Sequence, residues 1–272
     1  MNQALSEEIA ATLRRIADSL ERLAPPARAE IDSGQGPAFR WDGARLHAVA
    51  NPHAFPVERF AGAEAQVAAL RQNIGALAKG APSHDMMLWG SRGMGKSALL
   101  RSIAVEQGVA LVEAGGDALA TLPALFERLA AVPRPFLLFV DDLAFDSADR
   151  DVRALRSLLD GGIAERPANV RLAVTSNHRH LVERPPADSR HARDSADDQL
   201  ALVDRFGLVL GFHVPDQPTW LEMVRRHLEP EGLPLDEADA IAFALARGGR
   251  SGRTAWHYRN ELLARRAAGQ AS

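Results

Sequence analysis

Short apolar runs alternate with helical patterns through the middle of the chain. The runs cover residues 85–89, 109–113, 135–141, 170–175 and 207–212. Apolar positions at helical spacing fill the intervals, at about 62–78, 96–107, 121–131 and 147–160. Strands that alternate with helices are typical of a parallel sheet covered on both faces, so we predict an α/β domain over residues 51–214.

Other patterns flank this domain. The strand signals end after Pro215, and three helical patterns follow, at about 218–228, 236–247 and 253–267. They predict a small α-helical domain over residues 215–272. Upstream, two short apolar runs flank Asp42-Gly43, which predicts a β-hairpin within residues 37–50. Within the α/β domain itself, residues 185–199 carry almost no large apolar side chain, and we expect an exposed loop there.

The N-terminal segment, residues 1–36, is predicted to be a helix followed by a linker. Its apolar stripe consists of Ile9, Leu13, Ile16, Leu20 and Leu23. Their spacing of four and three positions indicates an amphipathic helix over residues 5–23, which Pro25-Pro26 ends. The stripe either packs on its own domain or pairs with another chain as a short coiled coil.

Composition narrows the class of protein. The chain has 272 residues, of which 46% are hydrophobic, enough for a full core. It contains no apolar run near the roughly 18 residues of a membrane span and no export-like start, and we expect no membrane partner. The absence of cysteine fits a reducing compartment, so we expect a cytoplasmic protein. A net charge of −3 argues against a broad DNA-binding surface but leaves a local basic patch open.

A glycine-rich motif follows the first of the five apolar runs. Residues 90–97 read G-x-x-x-x-G-K-S between that predicted strand and a predicted helix, the context of a phosphate-binding P-loop. Glycines let successive backbone N–H groups face the phosphates, and the helix dipole favours the same anion. Lys96 is expected to reach the β- and γ-phosphates, and Ser97 to bind Mg²⁺. The nucleotide-binding residues are predicted to be Gly90, Ser91, Arg92, Gly93, Met94, Gly95, Lys96, Ser97 and Ala98.

The third apolar run ends in two carboxylates, Asp141 and Asp142. Ligands collect at the carboxyl ends of parallel strands, so Asp141 is expected to hold Mg²⁺ there. Asp142 is expected to polarise the attacking water. The alternative for either residue is a helix cap or a solvated turn.

Three further polar residues are candidates for the same site. Asn177 ends the fourth run and is suited to hydrogen-bond the γ-phosphate or the attacking water, unless it is a turn residue. Arg205 precedes the fifth run and is a candidate arginine finger acting on a neighbouring subunit, with a surface ion pair as the alternative. Arg253 begins a C-terminal helical pattern and either contacts the nucleotide or is an ordinary loop arginine.

Together these features resemble the AAA+ ATPases. By that resemblance, Lys96 and Ser97 are the Walker A positions and Asp141 and Asp142 the Walker B positions. Asn177, Arg205 and Arg253 are then sensor 1, the arginine finger and sensor 2. A closer resemblance is to an uncharacterised bacterial ATP-binding family labelled domain of unknown function eight-fifteen. It spans about residues 38–267 and is carried by residues 88–97, 139–143, 173–181, 189–206 and 249–256.

The resemblance implies an α/β P-loop NTPase fold of AAA+ type. It has a five-stranded parallel sheet of order 5-1-4-3-2 between helices, a C-terminal helical lid, and an N-terminal helix and β-hairpin. It also implies that Val57, Phe60 and Gly62 lie near the adenine, because the segment before the first domain helix closes over the base in AAA+ proteins. No Asn-Lys-x-Asp segment is present to read guanine, so ATP is expected rather than GTP.

One departure concerns catalysis. Most AAA+ proteins carry Asp-Glu where this chain has Asp141-Asp142. An aspartate is shorter by one carbon–carbon bond, about 1.5 Å, and a misplacement of about 1 Å can cost roughly 10²-fold in rate. We therefore expect slow hydrolysis unless the backbone compensates, as the paired aspartates of the related family suggest.

The sequence is compatible with two functions. The first is a Mg²⁺-dependent ATPase active at subunit interfaces of a homo-oligomer, with an unknown protein partner. The second is a nucleotide-gated binding module or loader, for which the basic run from Arg247 to Arg266 is either a nucleic-acid contact or a solvated face. A threading unfoldase is disfavoured because residues 114–119 contain no aromatic side chain.

Overall fold

The computed structural model describes residues 35–143, 150–159, 166–177 and 200–269. The predicted N-terminal helix at 5–23 and the predicted loop at 185–199 lie outside these residues. The division into domains stays a prediction. Within the described part, no helix has the length and apolar content needed to cross a bilayer.

One seven-stranded sheet forms the centre of the fold, in the order β2-β1-β4-β5-β6-β3-β7. The strands are β1 (Ala38–Trp41), β2 (Leu46–Val49), β3 (Met86–Gly90), β4 (Ala110–Ala114), β5 (Phe136–Val140), β6 (Val170–Ser176) and β7 (Leu208–Phe212). Of these, β3 to β7 correspond to the five predicted strands. Numbered among themselves, they lie in the order fifth, first, fourth, third, second.

The prediction of a five-stranded sheet with a separate hairpin is therefore corrected. Strand β1 pairs with β2 antiparallel, as a hairpin should, but it also pairs parallel with β4, so that Trp41 lies beside Ala114. This pairing extends the backbone ladder beyond β4. It also buries Phe39 and Trp41, which are 1% and 2% exposed. An isolated hairpin would leave both aromatic rings in water.

Seven helices surround the sheet in the described ranges, within three residues of the predicted bounds. They are α1 (Glu64–Ala78), α2 (Lys96–Glu106), α3 (Leu122–Ala130), α4 (Arg150–Leu159), α5 (Gln217–Leu228), α6 (Glu237–Ala246) and α7 (Gly252–Ala267). The last three, called the C-terminal helices below, begin at side-chain caps. Asp216, Asp236 and Ser251 each accept a hydrogen bond from a backbone N–H of the first turn.

Apolar side chains cover both faces of the sheet, which explains why its strands read as continuous apolar runs. On one face, Leu137 and Phe139 of β5 pack in a cluster with α1, α2 and the C-terminal helices. On the other, Leu138 and Val140 of the same strand pack in a cluster with α3 and α4. The alternation along β5 is the two-residue period of a strand.

The three central strands bring the candidate residues together. Strand β6 lies between β5 and β3, with Val140 beside Val174 and Trp89 beside Ser176. Because the strands are parallel, their carboxyl ends meet at the same edge of the sheet. The P-loop after β3, the aspartates after β5 and Asn177 after β6 therefore share one edge.

Candidate functional site

Lys96 lies at the centre of this edge, at the first position of α2. Its residue exposure is only 6%, and its Nζ donates hydrogen bonds to the carbonyl oxygens of Gly90 (2.8 Å) and Ser91 (2.9 Å) and to Oδ1 of Asn177 (2.9 Å). Burial lowers the pKa of Lys96 to about 8, although the Asp142 and Asp141 carboxylates oppose the shift. The P-loop thus positions the ammonium group of Lys96 to bind an anion.

Asp141 holds two hydroxyl groups. The Ser97 Oγ and the Thr175 Oγ1 each donate to its Oδ1, both at 2.6 Å. Carboxylate and hydroxyl oxygens suit Mg²⁺, which commonly takes one or two protein carboxylates and completes its shell with phosphates and water. Among the described residues, no group of three His, Cys, Asp or Glu side chains forms a metal cage. The donor set fits a magnesium ion shared with a nucleotide.

Asp142 is held by three neighbours. Its backbone N–H donates to the Thr175 Oγ1 at 2.9 Å, and the Asn177 Nδ2 donates to its Oδ1. The Arg92 guanidinium lies 3.9 Å from its Oδ2. Asn177 therefore joins Lys96 to Asp142 through the two ends of one amide, an arrangement that orients a carboxylate toward the P-loop.

The C-terminal helices dock directly on the P-loop. The backbone N–H of Arg253, at the start of α7, donates to the Gly93 carbonyl at 2.9 Å. Gly93 has a φ of +76°, and a Cβ there would lie 3.1 Å from the Ser251 Oγ. Only glycine accommodates both this backbone conformation and this close approach. Trp220 of α5 also holds the junction, because its indole Nε1 donates to the Ser251 carbonyl at 3.0 Å.

A cavity of about 530 Å³ opens between the P-loop, the sheet edge and the C-terminal helices. This volume is within the range of small-molecule sites. One end is polar and contains the cationic side chains of Arg92, Lys96 and Arg253 together with Asp141 and Asp142. The other end is rich in aromatic side chains and is lined by His53, Phe55, Phe60, Met223, His227 and Trp256. Two cations also line it, since Arg59 lies near His227 and the Arg101 Nε donates to the His53 carbonyl at 3.3 Å. An anionic head and a flat apolar body would match the two ends.

Most of the predicted site residues line this cavity. The P-loop from Arg92 to Ala98 does so, as do Asp141, Asp142, Asn177 and Arg253. Gly90 and Ser91 reach the site through the carbonyls that hold Lys96.

Of the three residues predicted to contact the adenine, one lines the cavity and two do not. Phe60 lines the cavity, whereas Val57 and Gly62 are not among its lining residues. Val57 is 6% exposed and packs in the core. Gly62 has a φ of +69°, and a Cβ there would lie 2.3 Å from Cγ2 of Thr219, so its backbone packs against α5.

Arg205 is also not among the lining residues of this cavity. It is exposed, it follows the helical residues 200–203, and its Nη1 donates to the Ala201 carbonyl.

Sequence reasoning missed Thr175 and, apart from Phe60, the aromatic end. Thr175 precedes Asn177 by two positions, so strand alternation places both side chains on one side of β6, a signal that could have been used. Phe55 and Trp256 are close in sequence to the predicted site residues Phe60 and Arg253, and this proximity was a signal that both could belong to the site. No local pattern indicated that His227 joins them.

The fold is an α/β domain with a P-loop at the carboxyl edge of its sheet and C-terminal helices docked on that loop. Among solved structures, the chain is similar to RuvB of Thermotoga maritima. One structure, titled as the Holliday junction branch migration motor, has a TM-score of 0.54 and 19% identity over 81% of this chain and 67% of that chain. A RuvB variant gives a TM-score of 0.55 and 20% identity over the same shares. At this identity the likeness concerns the fold.

The chain belongs to the family described as "Protein of unknown function (DUF815)", whose model matches residues 34–266. No curated protein matches the sequence. The resemblance to this family, stated from the sequence, is confirmed, and the predicted AAA+ type of fold agrees with the likeness to RuvB.

Proposed function

We propose that the protein binds ATP with Mg²⁺ in this cavity and hydrolyses it to ADP and phosphate. The observation that carries the proposal is the network in which Asn177 bonds both Lys96 and Asp142, beside the Ser97 and Asp141 pair. Lysine, hydroxyl, paired carboxylates and amide are the set of groups that phosphoryl transfer needs.

Each residue has a distinct role in this proposal. Lys96 binds the β- and γ-phosphates, and Ser97 and Asp141 hold Mg²⁺. The ion neutralises phosphate charge when bound. Asp142 accepts a proton from the attacking water, and Asn177 orients that water or the γ-phosphate.

Steady-state turnover of ATP with Mg²⁺ tests the proposal. We expect Lys96→Ala to abolish ATP binding, and Asp142→Asn to retain binding while turnover falls by about 10²-fold or more. A wild-type protein that binds no ATP, or a turnover rate that neither substitution changes, contradicts the proposal.

We also propose that turnover occurs at an interface between subunits, with Arg205 contacting the γ-phosphate in a neighbouring subunit. In support, Arg205 is exposed just before β7, an edge strand of the described sheet. Activity per subunit should then rise with protein concentration and fall in Arg205→Ala, and Arg205→Lys should restore it only in part. Turnover that is linear in protein and indifferent to Arg205→Ala refutes this part.

A nucleotide-gated binding module is the second candidate. The observation that favours it is the hydrogen bond between Arg253 and Gly93, which couples the P-loop to the C-terminal helices. Asp142→Asn loaded with ATP should retain a protein partner that the ADP form releases, and equal recovery by both forms argues against gating. In either function, the cytoplasmic location stays a prediction.

Nucleic acid is the less favoured partner. Two arginines of the basic run already pair with acidic groups, since Arg265 lies 2.9 Å from Asp239 and Arg259 bonds Glu231. These pairs leave fewer cations for phosphates. DNA binding with a steep dependence on salt concentration would reverse this ranking.

A further inference from the structure

The aromatic end of the cavity is assembled from three separate parts of the chain. The Phe55 ring, upstream of α1, meets the Trp256 ring of α7 edge to face at 5.1 Å. Trp256 in turn meets the ring of His227, from α5, at 5.6 Å with an interplanar angle of 74°. The backbone N–H of Phe55 donates to the Ser102 Oγ of α2 at 2.8 Å, which fixes this segment. The wall is therefore built by packing between elements.

His227 is one of the polar side chains of this wall, which also contains His53 and Arg59. Its Nδ1 is buried and has no hydrogen-bond partner among the described residues. The cationic groups that face the ring are Arg59, before α1, and Arg259, on α7. Burial, with these two charges, lowers the pKa of His227 to about 4, so the imidazole is neutral at physiological pH.

A neutral imidazole carries one N–H and one lone pair. A buried N–H without an acceptor is rarer and costlier than a buried acceptor without a donor. This favours the tautomer that leaves the lone pair on the buried Nδ1 and the proton on Nε2. The Nε2–H of His227 then adds a neutral donor to a wall that also contains His53, Arg59 and the Trp256 indole.

We propose that His227 reads the base of the bound nucleotide, its Nε2–H donating a hydrogen bond to a ring nitrogen of a purine. This inference rests on the proposed nucleotide function and adds the residue that determines base specificity. Purine ring nitrogens are acceptors in the plane of a flat base, which suits a donor that lies against the ring of Trp256. A pyrimidine is a single ring and extends less far into the aromatic end.

Calorimetric binding to the full chain with Mg²⁺ tests the inference. Two probes separate the ends of the cavity, namely ATP and inorganic tripolyphosphate, which has no base. We expect His227→Phe to weaken ATP binding by about tenfold, as the loss of one buried hydrogen bond predicts. Tripolyphosphate binding should not change. The matched control is His257→Phe, at an exposed position on α7 that is absent from the cavity lining.

A second measurement needs no variant and covers the case in which His227→Phe does not fold. Wild-type protein is titrated with the 1-deaza, 3-deaza and 7-deaza analogues of ATP, each with one ring nitrogen replaced by C–H. We expect one analogue to bind about tenfold more weakly than ATP. Equal affinity for ATP and all three analogues overturns the assignment, as does unchanged ATP binding by folded His227→Phe.

The outcomes separate the two proposals. If wild-type protein binds neither ATP nor tripolyphosphate, the nucleotide function fails and the assignment of His227 fails with it. If both ligands bind and Lys96→Ala removes both, but no analogue and no substitution at His227 changes affinity, only the assignment of His227 fails.

Discussion

The backbone at Asp142 lies in the left-handed region, with a φ of 53°, a conformation that no other non-glycine residue adopts in the described part of the chain. Aspartate and asparagine tolerate this conformation better than longer side chains do, because their short polar groups bond locally. The left-handed backbone therefore favours aspartate over the longer glutamate at position 142. The turned backbone, tied by its N–H to Thr175, aims the shorter side chain.

Substitutions of Asp142 should distinguish the effect of its backbone conformation on stability from the effect of its carboxylate on turnover. We expect Asp142→Glu to lower the free energy of unfolding by about 1 kcal/mol without raising ATP turnover, because the left-handed conformation penalises the longer side chain. Asp142→Asn should change stability by less than about 0.5 kcal/mol. Urea unfolding and a turnover assay measure both quantities. A stable Asp142→Glu variant with faster turnover would show that chain length, not backbone, limits the rate.

His227 should make stability depend on pH. Its pKa in the folded protein, about 4, is below the ordinary value of 6.5, so the unfolded chain binds the proton more readily. The contribution of neutral His227 to the free energy of unfolding is complete above pH 6.5 and is lost as the pH falls toward 4. His227→Gln should remove on the order of 2–3 kcal/mol of the loss in unfolding free energy between pH 7 and pH 4.5.

Urea unfolding of the wild type and the variant at both pH values measures this difference. His257→Gln, at an exposed histidine, is the control and should follow the wild type. Parallel pH profiles for His227→Gln and wild type would contradict the burial argument.

At the scale of elements, Asp85 secures the central strands from the end opposite the cavity. Its Oδ1 accepts from the backbone N–H of Leu172 in β6 at 2.8 Å and from the Arg166 Nη2 at 3.1 Å. Its backbone carbonyl accepts from Leu208 at the start of β7. One residue therefore holds β3, β6 and β7 in the register that brings the P-loop beside Asn177.

Removal of this carboxylate should be costly. We expect Asp85→Ala to destabilise the fold by about 2–4 kcal/mol, because it strands a largely buried guanidinium and a backbone donor. Asp85→Asn, which keeps an acceptor, should cost less. Glu113→Ala is the matched control, since that side chain is 48% exposed and lies 3.9 Å from Arg40, and it should cost less than about 0.5 kcal/mol. Equal losses for Asp85→Ala and Glu113→Ala in chemical unfolding would remove Asp85 from this role.

Elements with a local sequence pattern could be predicted, whereas contacts between distant segments could not. Strand and helix periods are local, so the bounds of β5 and α2 could be predicted to within one residue. Parallel strands share an edge, so Ser97, Asp141 and Asn177 could be expected to meet. The pairing of β1 with β4 joins segments about 70 positions apart and has no local signal. The aromatic wall joins Phe55, His227 and Trp256 only through packing, and periodicity carries no trace of that.

For the whole molecule, nucleotide binding should raise thermal stability. A ligand at 100 times its Kd stabilises the folded state by about 2.7 kcal/mol. For a chain of this size that corresponds to a rise in Tm of roughly 5–10 °C. Lys96→Ala should abolish the rise. Lys79→Ala, at the exposed position of the sequence's other lysine, should retain it. Scanning calorimetry with and without ATP and Mg²⁺ gives the answer, and an equal rise in both variants would locate the nucleotide elsewhere.

The hydrogen bond between the Gly93 carbonyl and the Arg253 amide links the P-loop to the C-terminal helices, so a change in either one acts on the other. A ligand that tilts the C-terminal helices would also move the loop that we propose binds the triphosphate. Thermodynamic reciprocity then requires the filled loop to change the affinity for that ligand by the same factor. A binding partner could thus set how long the nucleotide stays without touching it.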